Sequence, residues 1–285
     1  MRSASRTVFA VVLFAGCSAG GRMPAGLVPI SPGPSWSGSG LRARANAVEF
    51  LAETDGSDMD ALTRLASEPP RAAVEVEAFT IMVHPVTQAE YAVFARRTGA
   101  PEPWIDRQRW EAQGTGFPYA LVQRFVWSGG EPPLERANHP VVLVDREDAQ
   151  RYCSWWGDRF DGLGQLPTEA QWNRAAGGDD GSAFPWGDLH DPTRANTWET
   201  GVGDTVSVGS SPAAVSAFGV HDLAGNVFEW TRTRAAPAHS ILKGGSWSTS
   251  LVEARASARQ PAPDDLRHVT VGFRCVFEAR GKHST

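Results

Sequence analysis

Residues 218–230 read Phe218-Gly219-Val220-His221-Asp222-Leu223-Ala224-Gly225-Asn226-Val227-Phe228-Glu229-Trp230, and Gly244-Gly245-Ser246-Trp247 follows shortly after. Glycines here are set among large rings, and the same bias runs through all 285 residues. With 29 Gly and 20 Pro the chain must turn often, and 11 Trp against 3 Tyr supply large rings to pack between irregular segments. Long uninterrupted helices are not expected. Charged residues at 21% and a formal charge of −5 describe an ordinary soluble globule. No basic stripe is present that would follow a phosphate backbone, so nucleic acid is not an expected partner.

Outward from this stretch, three helices announce themselves by their caps. Thr87 and Glu90 have the spacing of a capping box, with Tyr91, Phe94 and Ala95 on one face and Gly99 as the stop. Asp145 caps a second helix lined by Ala149, Tyr152, Cys153 and Trp156. Pro167-Thr168 opens a third, with Gln171 at the return position and Trp172 and Ala175 beyond. Short β-like runs are Ala73–Val76, Val141–Val144, Thr205–Val208, Ile241–Leu242 and Val269–Phe273. Residues 41–69 look like an insertion with one modest helical turn around Met59–Leu65. A further Pro-rich insertion at 101–137 carries Trp104, Trp110 and Trp127, which either stack on a ligand or pack the core. No linker splits the chain.

The motifs together carry a resemblance. Val28-Pro29-Ile30-Ser31-Pro32-Gly33, Pro85-Val86-Thr87, His139-Pro140-Val141, Leu166-Pro167-Thr168-Glu169-Ala170-Gln171-Trp172, Phe184-Pro185-Trp186-Gly187, the stretch 218–230 and Gly272-Phe273-Arg274 occur in one order. In that order they resemble the formylglycine-generating, or sulfatase-modifying factor, family. The resemblance implies an irregular, loop-rich α+β fold of the C-type-lectin-like kind with little regular secondary structure. The implied division is a signal peptide at 1–16, a tether at 17–25, the domain at 26–277 and a tail at 278–285.

Active members of that family use a cysteine pair shortly after the Gly-Gly-Ser-aromatic string to hold copper, since soft thiolates suit Cu(I). Here the segment reads Ser248-Thr249-Ser250-Leu251-Val252-Glu253-Ala254-Arg255, and no cysteine occurs between Cys153 and Cys275. Hydroxyls stay protonated and are poor ligands for a soft metal, so no copper and no catalytic residue are expected. The resemblance pairs Cys153 with Cys275 as a structural disulfide. It also implies calcium ligation by Asp222 and Glu229 with the carbonyls of Gly225 and Val227, hard oxygen donors that suit the ion. Spacing alone reads Asp222 and Glu229 as capping groups. Asn196, Thr197 and Asp204 match a second family calcium site with a shortened loop. Iron enters only if a facial triad converges from the scattered histidines, with Glu253 and His268 the nearest donors by sequence.

At the N-terminus, Arg2 and Arg6 precede an apolar run from Val8 to Ala15 that is far short of the ~20 residues needed to span a bilayer. It reads as a cleavable signal. Phe14-Ala15-Gly16-Cys17 resembles a lipobox, with Phe14 where Leu is usual, which makes Cys17 the lipidation site. The expectation is an exported bacterial cell-envelope lipoprotein, anchored to the membrane by its N-terminal lipid and facing the periplasm or exterior. It would be non-catalytic and bind a protein or glycan. The alternative is an oxidoreductase of the same family using iron or copper on a thiol.

Overall fold

Leu27–Ile30 (β1) pairs antiparallel with Phe79–Met82 (β4), placing Leu27 opposite Met82 and Ile30 opposite Phe79 in a computed structural model that describes residues 26–55 and 59–279. The signal segment, Cys17 and the last six residues lie outside the described residues. Gly33–Ser37 (β2) forms a ribbon with Ala72–Val76 (β3). Between them stand Leu41–Asp55 (α1) and Met59–Ser67 (α2). Gln88–Thr98 (α3), Arg107–Ala112 (α4) and Tyr119–Val122 (α5) lead to Arg146–Asp158 (α6), Gly162–Gln165 (β5) and Glu169–Gly177 (α7). Then come Phe228–Ala236 (β6), His239–Lys243 (β7), Gln260–Pro263 (β8), Val271–Gly272 (β9) and Val276–Ala279 (β10). One sheet has the order β1-β4-β10-β5 and another β8-β7-β6-β9, so both ends of the domain join one sheet. β10 carries the domain to Ala279, two residues past the expected boundary.

The three capped helices form where their caps predict. Thr87 and Thr168 make full capping boxes with Glu90 and Gln171, Asp145 accepts from the Asp148 amide, and Gly99 ends α3 at φ 70°. The 41–69 insertion departs from expectation. α1 is 15 residues long and α2 nine, and both insert one apolar face, Ala47, Phe50 and Leu51 with Ala61 and Leu65, against Phe184, Leu251 and Val252. Gly40 precedes α1 where a cap would stand, so no start signal marked it. The insertion's ends close where Ser39 bridges Pro70, and a Cβ on Gly38 (φ 65°) would fall 2.2 Å from the Pro69 carbonyl. Its anchor to the core is a buried ion pair of Glu68 with Arg255.

Two expected strands are absent. Val141–Val144 is buried on all sides with Leu143 at φ 61°, so its continuous apolar character reflects burial and not a ladder. Thr205–Val208 forms no ladder: the Val206 amide donates to Asn226 Oδ1, Asn226 Nδ2 donates to the Val206 carbonyl, and the Val208 amide donates to the Asn138 carbonyl. Val269–Phe273 contributes only the two residues of β9.

The largest core cluster is built from rings. Tyr91 stacks on Tyr152 at 5.8 Å, Phe273 meets both edge-on, and Trp230 and Trp127 complete it. Cys153 and Cys275 are joined in a disulfide within it, tying α6 to the entry of β10. Trp110 and Trp127 are likewise core residues, whereas Trp104 stays about half exposed.

Candidate binding site

β7 is followed by Gly244 and Gly245, at φ 93° and 68°, whose tight turn directs the chain back toward the core. A Cβ on Gly245 would sit 3.0 Å from the Ala254 backbone, so glycine is required there. The hydroxyls that follow are consumed locally. The Ser246 amide donates to Thr249 Oγ1 at 2.9 Å, Thr249 Oγ1 donates to the Ser246 carbonyl at 3.2 Å, and the Ser246 and Ser248 hydroxyls lie 3.1 Å apart. Glu199 closes the turn: one oxygen accepts from the Ser250 hydroxyl and the Leu251 amide, both at 2.9 Å, and the other from Thr197 Oγ1 at 2.7 Å. The Trp198 amide donates to the Thr249 carbonyl at 2.9 Å, which leaves the Trp198 side chain 68% exposed directly beside the turn. The sequence reading missed Trp198 and Glu199; their only signal is that they follow Asn196-Thr197.

The two alternative donors are not brought together. His268 lies flat on Trp110 at a ring distance of 4.8 Å, with Phe117 against its edge and Nδ1 2.6 Å from Thr270 Oγ1. Burial pushes its pKa down to about 4, so it is neutral at pH 7. Glu253 pairs with Arg64 of α2, in the contact between the insertion and the core. Among the described residues no three His, Cys, Asp or Glu side chains converge as a metal-ligand set.

The two expected calcium carboxylates have separate partners. Asp222 is buried at φ 55°, its carboxylate accepting from the Gly209 amide at 2.6 Å, and burial raises its pKa. Glu229 is fully buried in β6. It accepts from Trp172 Nε1 at 2.9 Å and from Arg274 Nε and Nη2, both at 2.7 Å. Arg274 also donates to the carbonyls of Met82, Val83, His221 and Asp222, which ties this loop to the sheet. Three of the four acceptor positions of Glu229 are thus filled and one is open. Carboxylates and carbonyls are the hard oxygens that calcium prefers, and of the two carboxylates Asp222 has no cationic partner on its side chain among the described residues, whereas Glu229 is paired with Arg274. Asp204 of the second set already has cationic partners from the chain. Arg136 Nη1 donates to Oδ1 at 2.9 Å and Nη2 to Oδ2 at 2.5 Å, Arg124 pairs with Oδ2, and the Thr205 amide donates to Oδ1 at 2.7 Å. All four acceptor positions are occupied. Asn196 meets Asp204 only through the backbone, Nδ2 donating to its carbonyl at 2.8 Å, while Thr197 bonds Glu199.

Residues 26–279 match the family described as sulfatase-modifying factor enzyme 1-like domain. The chain is 31% identical over 279 residues to the formylglycine-generating enzyme of Mycobacterium tuberculosis, covering 74% of this chain and 91% of that protein. It is 30% identical to the inactive C-alpha-formylglycine-generating enzyme 2 of Bos taurus, covering 74% and 81%. In structure it is similar to PvdO from Pseudomonas aeruginosa, with a TM-score of 0.65 at 21% identity over 88% of this chain and 94% of that one.

Proposed function

The chain belongs to the sulfatase-modifying factor family, and from that premise we propose a non-catalytic member: an envelope lipoprotein that binds a protein or glycan through the Trp198 face. One observation carries the reading. Where the family's copper thiols would follow Gly244-Gly245-Ser246-Trp247, the chain has hydroxyls already bonded: Ser246 with Ser248, Thr249 with the Ser246 backbone, and Ser250 with Glu199. A neutral, internally satisfied turn has no soft donor for Cu(I). An exposed indole on such a rigid turn has the form of a recognition surface, apolar in body with one polar edge. That a relative is named inactive supports the same reading.

The test is direct. Purified mature protein, supplied with copper(I), oxygen and a sulfatase-type cysteine peptide, leaves the thiol mass unchanged in the mass spectrum. Stoichiometric copper or iron together with oxygen-dependent turnover of a thiol would replace this reading with the oxidoreductase one. For binding, Trp198→Ala keeps the melting temperature and loses whatever glycan or envelope-protein signal the wild type gives. Equal signals from both proteins would remove the Trp198 face from the account.

Calcium at Asp222, Gly225, Val227 and Glu229 is proposed as a structural ion. At a hundred times its Kd it would add ~2.7 kcal/mol to stability. Chelator then lowers the melting temperature of wild type and not of Asp222→Asn; a curve indifferent to chelator counts against the ion. The lipid anchor is proposed on Cys17: Cys17→Ser releases the protein from the detergent phase or leaves it unprocessed, and an unmodified, water-soluble wild type excludes it.

A further inference from the structure

The ribbon of β2 and β3 has one covered edge and one bare edge. Three carbonyls in and just before β2 turn away from β3 and are taken by α7. Arg174 donates to Pro32 at 3.0 Å and to Pro34 at 2.8 Å, and Asn173 Nδ2 donates to Trp36 at 3.1 Å. Main-chain groups alternate sides along an antiparallel ladder, and Pro34 and Trp36 stand opposite Glu75 and Ala73. Those two pairs therefore do not bond across the ribbon, and the N–H and C=O groups of Ala73 and Glu75 point out from the far edge of β3. Among the described residues no third strand and no other backbone group meets them. From Arg71 to Ala78 every residue is exposed except the partly buried Val76. A bare edge of this kind is a template for another strand, and a two-stranded ribbon gains stability from a third.

We propose that the occupant of this edge is β3 of a second copy of the chain, paired antiparallel about a two-fold axis at Val74. The stretch Arg71-Ala72-Ala73-Val74-Glu75-Val76-Glu77 is self-complementary in that register. Ala73 faces Glu75 of the second copy twice, so the outward groups of both satisfy one another in main-chain hydrogen bonds. Arg71 faces Glu77 twice, opposite charges on one face of the sheet, and Val74 meets its own counterpart. The Arg71 guanidinium stacks on the Trp36 ring at 4.3 Å, which holds it on that face. The neighbouring registers that keep the outward groups facing are worse. One sets Glu75 against Glu75 of the second copy, like charges directly opposite. The other sets Arg71 against Glu75 but brings Pro69 into the ladder, which has no N–H and whose carbonyl already accepts from the Ser39 amide. The product is a four-stranded sheet of order β2-β3-β3-β2, a small and reversible contact.

This contact uses none of the residues of the Trp198 turn or of the calcium set, so its failure would leave the proposed function intact. The experiment is disulfide trapping on the purified mature protein. Val74 is 53% exposed, so Val74→Cys keeps the fold. Residues opposed in a non-bonded pair lie about 4.5 Å apart at Cα, within disulfide reach, whereas Glu75 and its counterpart would be about 8–9 Å apart. At about 100 μM under mild oxidant, Val74→Cys forms a covalent dimer at least about tenfold faster than Glu75→Cys. Ala73→Pro removes an outward N–H without touching the ladder to β2. Added to Val74→Cys, it lowers trapping to the Glu75→Cys rate while the thiol reacts as before with a small reagent. Glu77→Arg, on an exposed residue, slows trapping of Val74→Cys about tenfold, since two attractive pairs become repulsive. Three results overturn the proposal: equal trapping of Val74→Cys and Glu75→Cys, trapping that survives Ala73→Pro, or a rate that Glu77→Arg leaves unchanged.

Discussion

Cutting the Cys153–Cys275 bridge tests how far the fold depends on a constraint that acts mostly on the unfolded chain. The bond closes a loop with a sequence separation of 122 residues. The chain-entropy relation then assigns it about 16 cal/mol/K, or about 5 kcal/mol at 25 °C. Both cysteines are fully buried among Tyr91, Tyr152 and Phe273, so replacing them also removes packed sulfur. Reduced wild type, which keeps both sulfurs, isolates the entropic part, while the Cys153→Ala, Cys275→Ala double variant adds a packing loss of about 1–2 kcal/mol. For a domain of this size 1 kcal/mol moves the melting temperature by about 2–4 °C, so reduction should lower it by about 10–20 °C. Calorimetry and urea unfolding of oxidised protein, reduced protein and double variant give the three numbers. A drop below about 4 °C on full reduction would refute the reasoning, since the 122-residue loop would then carry no penalty in the unfolded state.

Glu229→Gln should destabilise by about 3–5 kcal/mol in urea, because it leaves the fully buried Arg274 guanidinium without its counter-charge; a loss under 1 kcal/mol would mean the pair is not what satisfies Arg274. His268 titrates at about 4 when folded and at about 6.5 when unfolded, so the unfolded chain takes the proton first. Its contribution is therefore complete above about pH 6.5 and is lost as pH falls toward 4, about 3 kcal/mol in all. His268→Phe should flatten the wild-type slope across that window, and parallel curves would show that His268 is not buried as described. Gly245→Ala should cost about 1–3 kcal/mol, since alanine must hold φ near 68° with its Cβ 3.0 Å from Ala254; an unchanged melting temperature would mean the turn relaxes freely.

Local chemistry was legible wherever it is decided within a few residues. A capping box needs only Thr87 with Glu90 or Thr168 with Gln171, and both helices start there. The missing thiols after Trp247 are a matter of residue type alone. The sequence missed what rests on distant contacts. α1 lacks a capping residue and is held by its apolar face against Phe184 and Leu251. The run Val141–Val144 looks like a strand because burial from every side and ladder pairing select the same residues.

At the site the division has the same cause. Sequence by itself determined the family's motif order and the lack of cysteine after Trp247, because each depends on which residues are present; the resemblance implied the Cys153–Cys275 pairing, and the fold brings the two together. Only the tertiary structure decided that Arg274 sits on Glu229, that Arg136 and Arg124 take Asp204, and that Trp198 is left exposed beside Thr249. Charges 45 or 68 residues apart along the chain carry no local mark of their pairing. Folding brings them out of water together, and each takes the nearest group of opposite charge that burial leaves it.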